Sequence, residues 1–108
     1  MSIMNQEVKI VKITQNCFST FSSRLIFTLI ALTDFCTRKE LEDWTGFSSI
    51  TISRYLQIFR KKGLIKTAPG IIFVTKYGEK LFKMLYELFF MELEIAKKYT
   101  KNRKVFNR

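Results

Sequence analysis

Residues 37–65 read TRKELEDWTGFSSITISRYLQIFRKKGLI, and side-chain chemistry alone marks two helix starts and two helix stops within them. Thr37 and Glu40 have capping-box spacing, in which each side chain satisfies an amide that has no partner inside the helix. Cys36 and Leu41 stand at staple positions around that cap. Gly46 can take the left-handed conformation that stops a helix. The pattern then restarts: Ser48 is a natural cap, Phe47 and Ile52 repeat the staple spacing, and Gly63 ends the second helix. Ile52, Leu56 and Phe59 make one inward stripe. The stretch predicts a short helix, a tight turn, and a basic helix. The outer face of that helix is either a solvated surface or one built to enter a DNA groove, and its neighbours bear on the choice.

Upstream, FSSRLIFTLIAL (residues 21–32) reads as a helix with Leu25, Ile26, Leu29 and Ile30 on one stripe. Ser22 is its expected cap, with Phe21 and Ile26 as the staple. Further upstream, EVKIVKIT (residues 7–14) mixes β-branched residues with a broken alternation, which favours a helix or irregular segment and leaves a strand open. Downstream, LIKTA and IIFVT predict two short strands joined at Pro69-Gly70, where proline presets φ and glycine accepts a positive one. A final helix is expected from about Lys76 to about Thr100. Leu81, Leu85, Leu88 and Ile95 form one apolar row along it, and Phe82, Phe89 and Ala96 a parallel one.

A chain of 108 residues, 47% apolar with one proline and four glycines, suits one helix-rich domain. Within it we expect an N-terminal segment (1–17), a helix-turn-helix with hairpin (18–75), a C-terminal helix (76–100) and a basic tail (101–108). The net charge of +10 favours a polyanionic partner or an anionic membrane surface. The surplus gathers late. Before residue 37 there are three basic and two acidic residues, over 37–70 seven and three, and from 71 onward nine and four. Cys17 and Cys36 fit no metal spacing and there is no histidine, so no metal site and no cofactor are expected. Buried, reduced cysteines are the simpler reading, with a disulfide as the alternative. No signal peptide is visible, and LIFTLIAL is far too short to span a bilayer. An intracellular, cytoplasmic protein is expected, in the host-cell cytoplasm if the source is viral.

The order of elements, and above all TRKELEDWTGFSSITISRYLQIFRKKGLI followed by VTKYGEKL, resembles the winged helix-turn-helix family. The likeness is to the small dimeric transcription regulators of archaea, bacteria and archaeal viruses. It spans roughly residues 20 to 90. It implies a mostly α (α+β) fold with a two-stranded wing and a long C-terminal helix, and DNA as the partner. The T-x-x-E-L second helix, the S-x-x-T-[IV]-S-R recognition helix and the G-L-I entry to the wing carry the resemblance. The threonine-x-x-glycine at Thr75–Gly78 resembles the opening of the helix after the wing.

With Ile52, Leu56 and Phe59 turned inward, Ile50, Arg54, Gln57 and Lys61 fall on the opposite arc, flanked by Ser49, Thr51 and Ser53. Arg54 has the donors for guanine O6 and N7, and Gln57 the donor and acceptor for adenine N6 and N7. Ile50 is either a contact to a thymine methyl or a stray exposed apolar residue. Ser48 is a cap rather than a contact. Tyr55 and Ile58 are expected partly buried. Arg38, Lys39, Lys61, Lys62 and Lys66 are candidate phosphate anchors. Arg60, Lys61 and Lys62 are equally consistent with a solvated helix end that favours cations through the dipole. The hairpin tip, Ala68-Pro69-Gly70, is short and lacks arginine, so Lys66 and Lys76 at its base are better placed for the DNA backbone than the tip is for a minor groove.

The apolar rows of the final helix exceed what one small domain should cover. A homodimer with Leu81, Phe82, Leu85, Leu88, Phe89 and Ile95 at its seam is expected, binding an inverted repeat of double-stranded DNA. The N-terminal segment folding back over these rows is the other possibility. A protein-interaction winged helix in a transcription or replication assembly is the alternative function. An enzyme is not expected, since there is no histidine, no glycine-rich phosphate loop and no paired carboxylates. A membrane-surface role is disfavoured because Glu87, Glu92 and Glu94 interrupt any cationic face. No small-molecule effector can be identified.

Overall fold

The computed structural model describes residues 11–100. The first ten residues and the basic tail from residue 101, and the expectations attached to them, lie outside that range. Helix α1 covers residues 11–17, which removes the strand option for that stretch. Then come α2 (Phe21–Ala31), α3 (Arg38–Thr45), α4 (Ser49–Lys61), β1 (Ile65–Ala68), β2 (Ile71–Val74), α5 (Lys76–Met84), a 3₁₀ turn (Tyr86–Phe89) and α6 (Phe90–Thr100). The architecture is an α+β winged helix: a helix-turn-helix followed by a two-stranded antiparallel wing, with helices before and after.

The caps fall almost where the sequence puts them. Thr37 and Glu40 close a full capping box, and Gly46 ends α3 at φ 75°. The Ser48 side chain accepts from the Thr51 amide and starts α4, and Gly63 follows that helix at φ 76°. At the start of α2 the expectation fails: Thr20, not Ser22, is the cap, accepting from the Ser23 amide. Phe21 is exposed, so no staple forms there.

The wing pairs Ile65 with Val74 and Ala68 with Ile71, leaving Pro69 and Gly70 as a two-residue turn with Gly70 at φ 80°. Cys36 adds a third contact to it, donating to the Ile72 carbonyl at 2.9 Å and accepting from the Ile72 amide at 2.7 Å. The residue just before α3 is thereby tied to the wing. Thr75 closes the other end: its hydroxyl accepts from the Gly78 amide and donates to the Gly63 carbonyl at 2.6 Å. Gly78 must lack a side chain, because a Cβ there would collide with the Leu64 carbonyl.

The core is built on phenylalanine. Phe18, Phe27, Phe59, Phe82 and Phe89 are all fully buried. Their rings meet in a chain of contacts: Phe18 to Phe27 at 5.0 Å, Phe27 to Phe59 at 5.4 Å, and Phe82 to Phe89 at 5.0 Å. Such pairs add to simple area burial. Phe59 belongs to α4, so the same cluster that holds the domain together fixes that helix in place.

The expected long C-terminal helix is broken. Leu85 leaves helical geometry at φ −105°, ψ 26°, and a 3₁₀ turn separates α5 from α6. In an unbroken helix residues 82 and 89 would lie about 10.5 Å apart along the axis. The break folds the two rings onto each other and lets Phe89 reach Phe18, 5.1 Å away and edge-on. The expectation that both apolar rows are left for a partner is corrected with it. Leu81, Phe82 and Phe89 are buried in the chain's own core rather than left for a partner. Leu85 and Ile95 are half-buried against that core, and Leu88 is exposed.

Candidate nucleic-acid interface

The turn between α3 and α4 is set by backbone chemistry. The Gly46 amide reaches back to the Glu42 carbonyl at 2.8 Å. The Thr45 hydroxyl donates to the Leu41 carbonyl at 2.7 Å and accepts from the Phe47 amide at 3.0 Å. Four residues, Leu41, Trp44, Phe47 and Ile52, then hold the two helices together, with Leu41 and Ile52 fully buried and Trp44 and Phe47 packed at the rim.

On α4 the inward stripe is Ile52, Leu56 and Phe59, all buried. The opposite arc is exposed at each position the sequence names: Ile50, Arg54, Gln57 and Lys61, with Ile50 at 74%. An isoleucine held so far into water at the first turn of a helix has no packing role among the described residues. Of the flanking residues, Ser49 is exposed while Thr51 and Ser53 are half-buried. Thr51 shares the cap with Ser48, their hydroxyls 3.1 Å apart. Ser53 accepts a hydrogen bond from Arg38 Nη1. Tyr55 and Ile58 are half-buried as expected. The Tyr55 ring stacks on Phe59, and its hydroxyl lies 3.1 Å from that of Thr20.

The cations divide into two groups. Lys39 is exposed but pairs with Asp43 at 3.5 Å, four residues along the same helix. Arg54, Arg60, Lys61, Lys62 and Lys66 are exposed and make no ion pair among the described residues. Arg60 and Lys61 occupy the last turn of α4, where the helix dipole favours positive charge. Lys66 leads a run of exposed positions on β1. Lys76 is exposed at the start of α5.

Two features escaped the sequence. One is the Arg38–Ser53 hydrogen bond, which links the first residue of α3 to the middle of α4. The other is a cleft of about 240 Å³ between α4 and the wing, with Arg38 and Arg60 both among its lining residues. Neither has a local sequence signal, because each joins residues that only the folded wing brings together.

Burial pushes the Cys17 thiol above its ordinary value of 9.0, and nearby Lys62 opposes the rise. Both cysteines are buried and neither is in a disulfide. Among the described residues no cluster of three or more His, Cys, Asp or Glu side chains could hold a metal ion, and no helix is long and apolar enough to cross a membrane.

No protein-family profile matches the sequence, and no curated protein matches it. Among solved structures, the chain is similar to ligand-free NadR. The TM-score is 0.60 and the identity 17%, over 91% of this chain and 80% of that one. At that identity the likeness speaks of the fold, and it supports the winged-helix architecture described above.

Proposed function

We propose that the chain is a homodimeric transcription regulator that binds specific sequences in double-stranded DNA, with α4 in the major groove. One observation carries this reading. Ile50, Arg54, Gln57 and Lys61 share an exposed arc of a helix whose opposite stripe is locked into the phenylalanine core. A helix presented that way fits the width of a major groove. Arg54 would address guanine, Gln57 adenine and Ile50 a thymine methyl, with Ser49, Thr51 and Ser53 flanking. Arg38, Lys39, Lys61, Lys62 and Lys66 would meet phosphates. Lys39 is the weakest of these, since it must first leave Asp43.

A second copy of the chain accounts for the apolar surface after the wing. Met84, Tyr86, Leu88, Phe90 and Met91 are all exposed within eight consecutive residues, Phe90 at 63% and Met91 at 67%. Large apolar side chains exposed together in so short a stretch point to an interaction site. With three of the original seam residues buried, the seam would run through Leu88 and these neighbours, with Leu85 and Ile95 at its floor. A two-fold axis there would set two α4 helices roughly 34–36 Å apart on an inverted repeat.

The same apolar face favours one competing reading, a winged helix that docks on another protein and leaves DNA alone. Fluorescence anisotropy with labelled duplexes separates the two. The proposal requires binding whose log affinity falls linearly with log salt. A well-folded protein that ignores duplex DNA at low salt would leave the docking reading.

A further inference from the structure

We infer that the cleft between α4 and the wing is a phosphate site, in which Arg38 and Arg60 together grip one phosphodiester of the DNA backbone. This deepens the proposed function and rests on it. Arg60 was legible only as one of three cations at a helix end, and the folded structure gives it a different standing.

The cleft is bounded on one side by Leu56 and Arg60, one turn apart on α4, and on the other by Thr67, Ala68 and Gly70 at the wing tip, with Arg38 entering from α3. Among the described residues, no acidic side chain lines it. Two arginines lining one cleft bring positive charge to it from two helices, and an anion held between them would offset that charge. Arg38 is already held: one of its Nη1 protons is directed at the Ser53 hydroxyl. A guanidinium carries five N–H donors in a rigid fork, so the remaining donors stay available for a second partner. Arg60 brings a second fork with no acidic partner among the described residues. The non-bridging oxygens of a phosphodiester match such a pair of forks, each accepting from one guanidinium.

Helical geometry indicates which phosphate this is. At 3.6 residues per turn, Ser53, Leu56 and Arg60 lie on a strip roughly a quarter-turn around α4 from the centre of the Ile50, Arg54, Gln57 and Lys61 arc. When that arc faces base edges at the floor of a major groove, the strip faces one wall of the groove, which is backbone. The wing then closes over the phosphate from the far side. Arg38 and Arg60 would in this way set the depth and tilt of α4 in the groove, while Arg54 and Gln57 choose the sequence.

The experiment uses the full chain and has two arms. In the first, inorganic phosphate is titrated into ¹⁵N-labelled protein, wild type and Arg60→Gln. The expected result is a saturable shift of the Thr67, Ala68 and Gly70 amides in wild type that is lost in the variant. In the second, duplex binding is measured across a salt series for wild type, Arg60→Gln, Arg60→Lys and Arg38→Gln. The slope of log affinity against log salt should fall by roughly one in each glutamine variant. Related and unrelated sequences should weaken by the same factor, and Arg60→Lys should keep the slope. Duplex binding with unchanged slope in both glutamine variants would overturn the cleft and leave the proposed function standing. Phosphate-induced shifts in a protein that binds no duplex would overturn the DNA source, and the proposed function with it.

Discussion

Arg24 Nε donates to Glu92 Oε2 at 3.0 Å across the seam between α2 and α6, and Glu92 is 2% exposed. Arg24 Nη1 also donates to the Phe18 carbonyl at 2.9 Å, so the guanidinium ties three segments together. The pair is buried on one side and only partly solvated on the other. Removing one partner leaves a charge in an apolar seam, whereas removing both leaves a space that apolar atoms can fill.

Arg24→Met is therefore expected to cost about 3 kcal/mol, the low end for breaking a buried pair because Arg24 is partly solvated. Arg24→Met combined with Glu92→Met should recover most of that loss. Urea denaturation of the two variants checks the claim. A double variant as unstable as the single one would mean that the seam needs the pair for its geometry.

Thr28 sits on the same helix with its hydroxyl buried and without a hydrogen-bond partner among the described residues. Thr28→Val keeps the shape and removes an unsatisfied polar atom. It should stabilise the protein by about 1 kcal/mol, read from the denaturation midpoint. A loss of stability would show that the hydroxyl has a partner in solution.

How far the sequence reached is clearest at the chain's punctuation. Thr37 with Glu40, Ser48, Gly46, Gly63 and Pro69-Gly70 all act where their local chemistry places them, because a cap or a tight turn is settled within four residues, and Thr75 with Gly78 opens α5 as the family resemblance implied. The inward stripe of α4 was legible for the same reason. Leu85 was not: neither proline nor glycine marks the break, and its cause is the distant demand that Phe89 meet Phe18 and Phe27. Thr20 and Ser22 are both plausible caps in sequence, and choosing between them requires the fold. The Cys36–Ile72 pairing and the cleft shared by Arg38 and Arg60 join residues far apart in the chain. The sequence supplies those side chains but does not show them meeting.

The Cys17 thiol should be silent at neutral pH. Its raised pKa means that the folded state keeps a proton that the unfolded state releases above about 9.0. Where the unfolded chain binds fewer protons, stability falls as pH rises. The thiol's contribution is therefore full below pH 9.0 and is lost from there up to the raised folded value. Wild type should lose more stability than Cys17→Ala between pH 8 and pH 10. Equal losses would place the thiol in a more polar setting than its burial indicates. Reduction should leave DNA binding unchanged, since neither cysteine lies on the exposed arc of α4.

Leu88→Glu with Met91→Glu tests the second copy. Both side chains are exposed in the single chain, so the domain should fold normally. Across a two-fold axis the same changes would bury like charges, and a monomer should result. Sedimentation reads the association state and circular dichroism the fold. A wild-type chain that is monomeric at micromolar concentration would refute the dimer.

Whether the exposed arc of α4 reads DNA sequence is decided by site selection from a random duplex pool. Wild type should enrich an inverted repeat with a guanine position that Arg54→Ala no longer selects, at a cost of about 1–3 kcal/mol in affinity. The other positions of the site should survive that substitution. The same selection with Lys61→Ala and Lys62→Ala combined should return the wild-type site, bound more weakly. An identical base preference in wild type and Arg54→Ala, or no enrichment by a folded wild-type protein, would contradict the account.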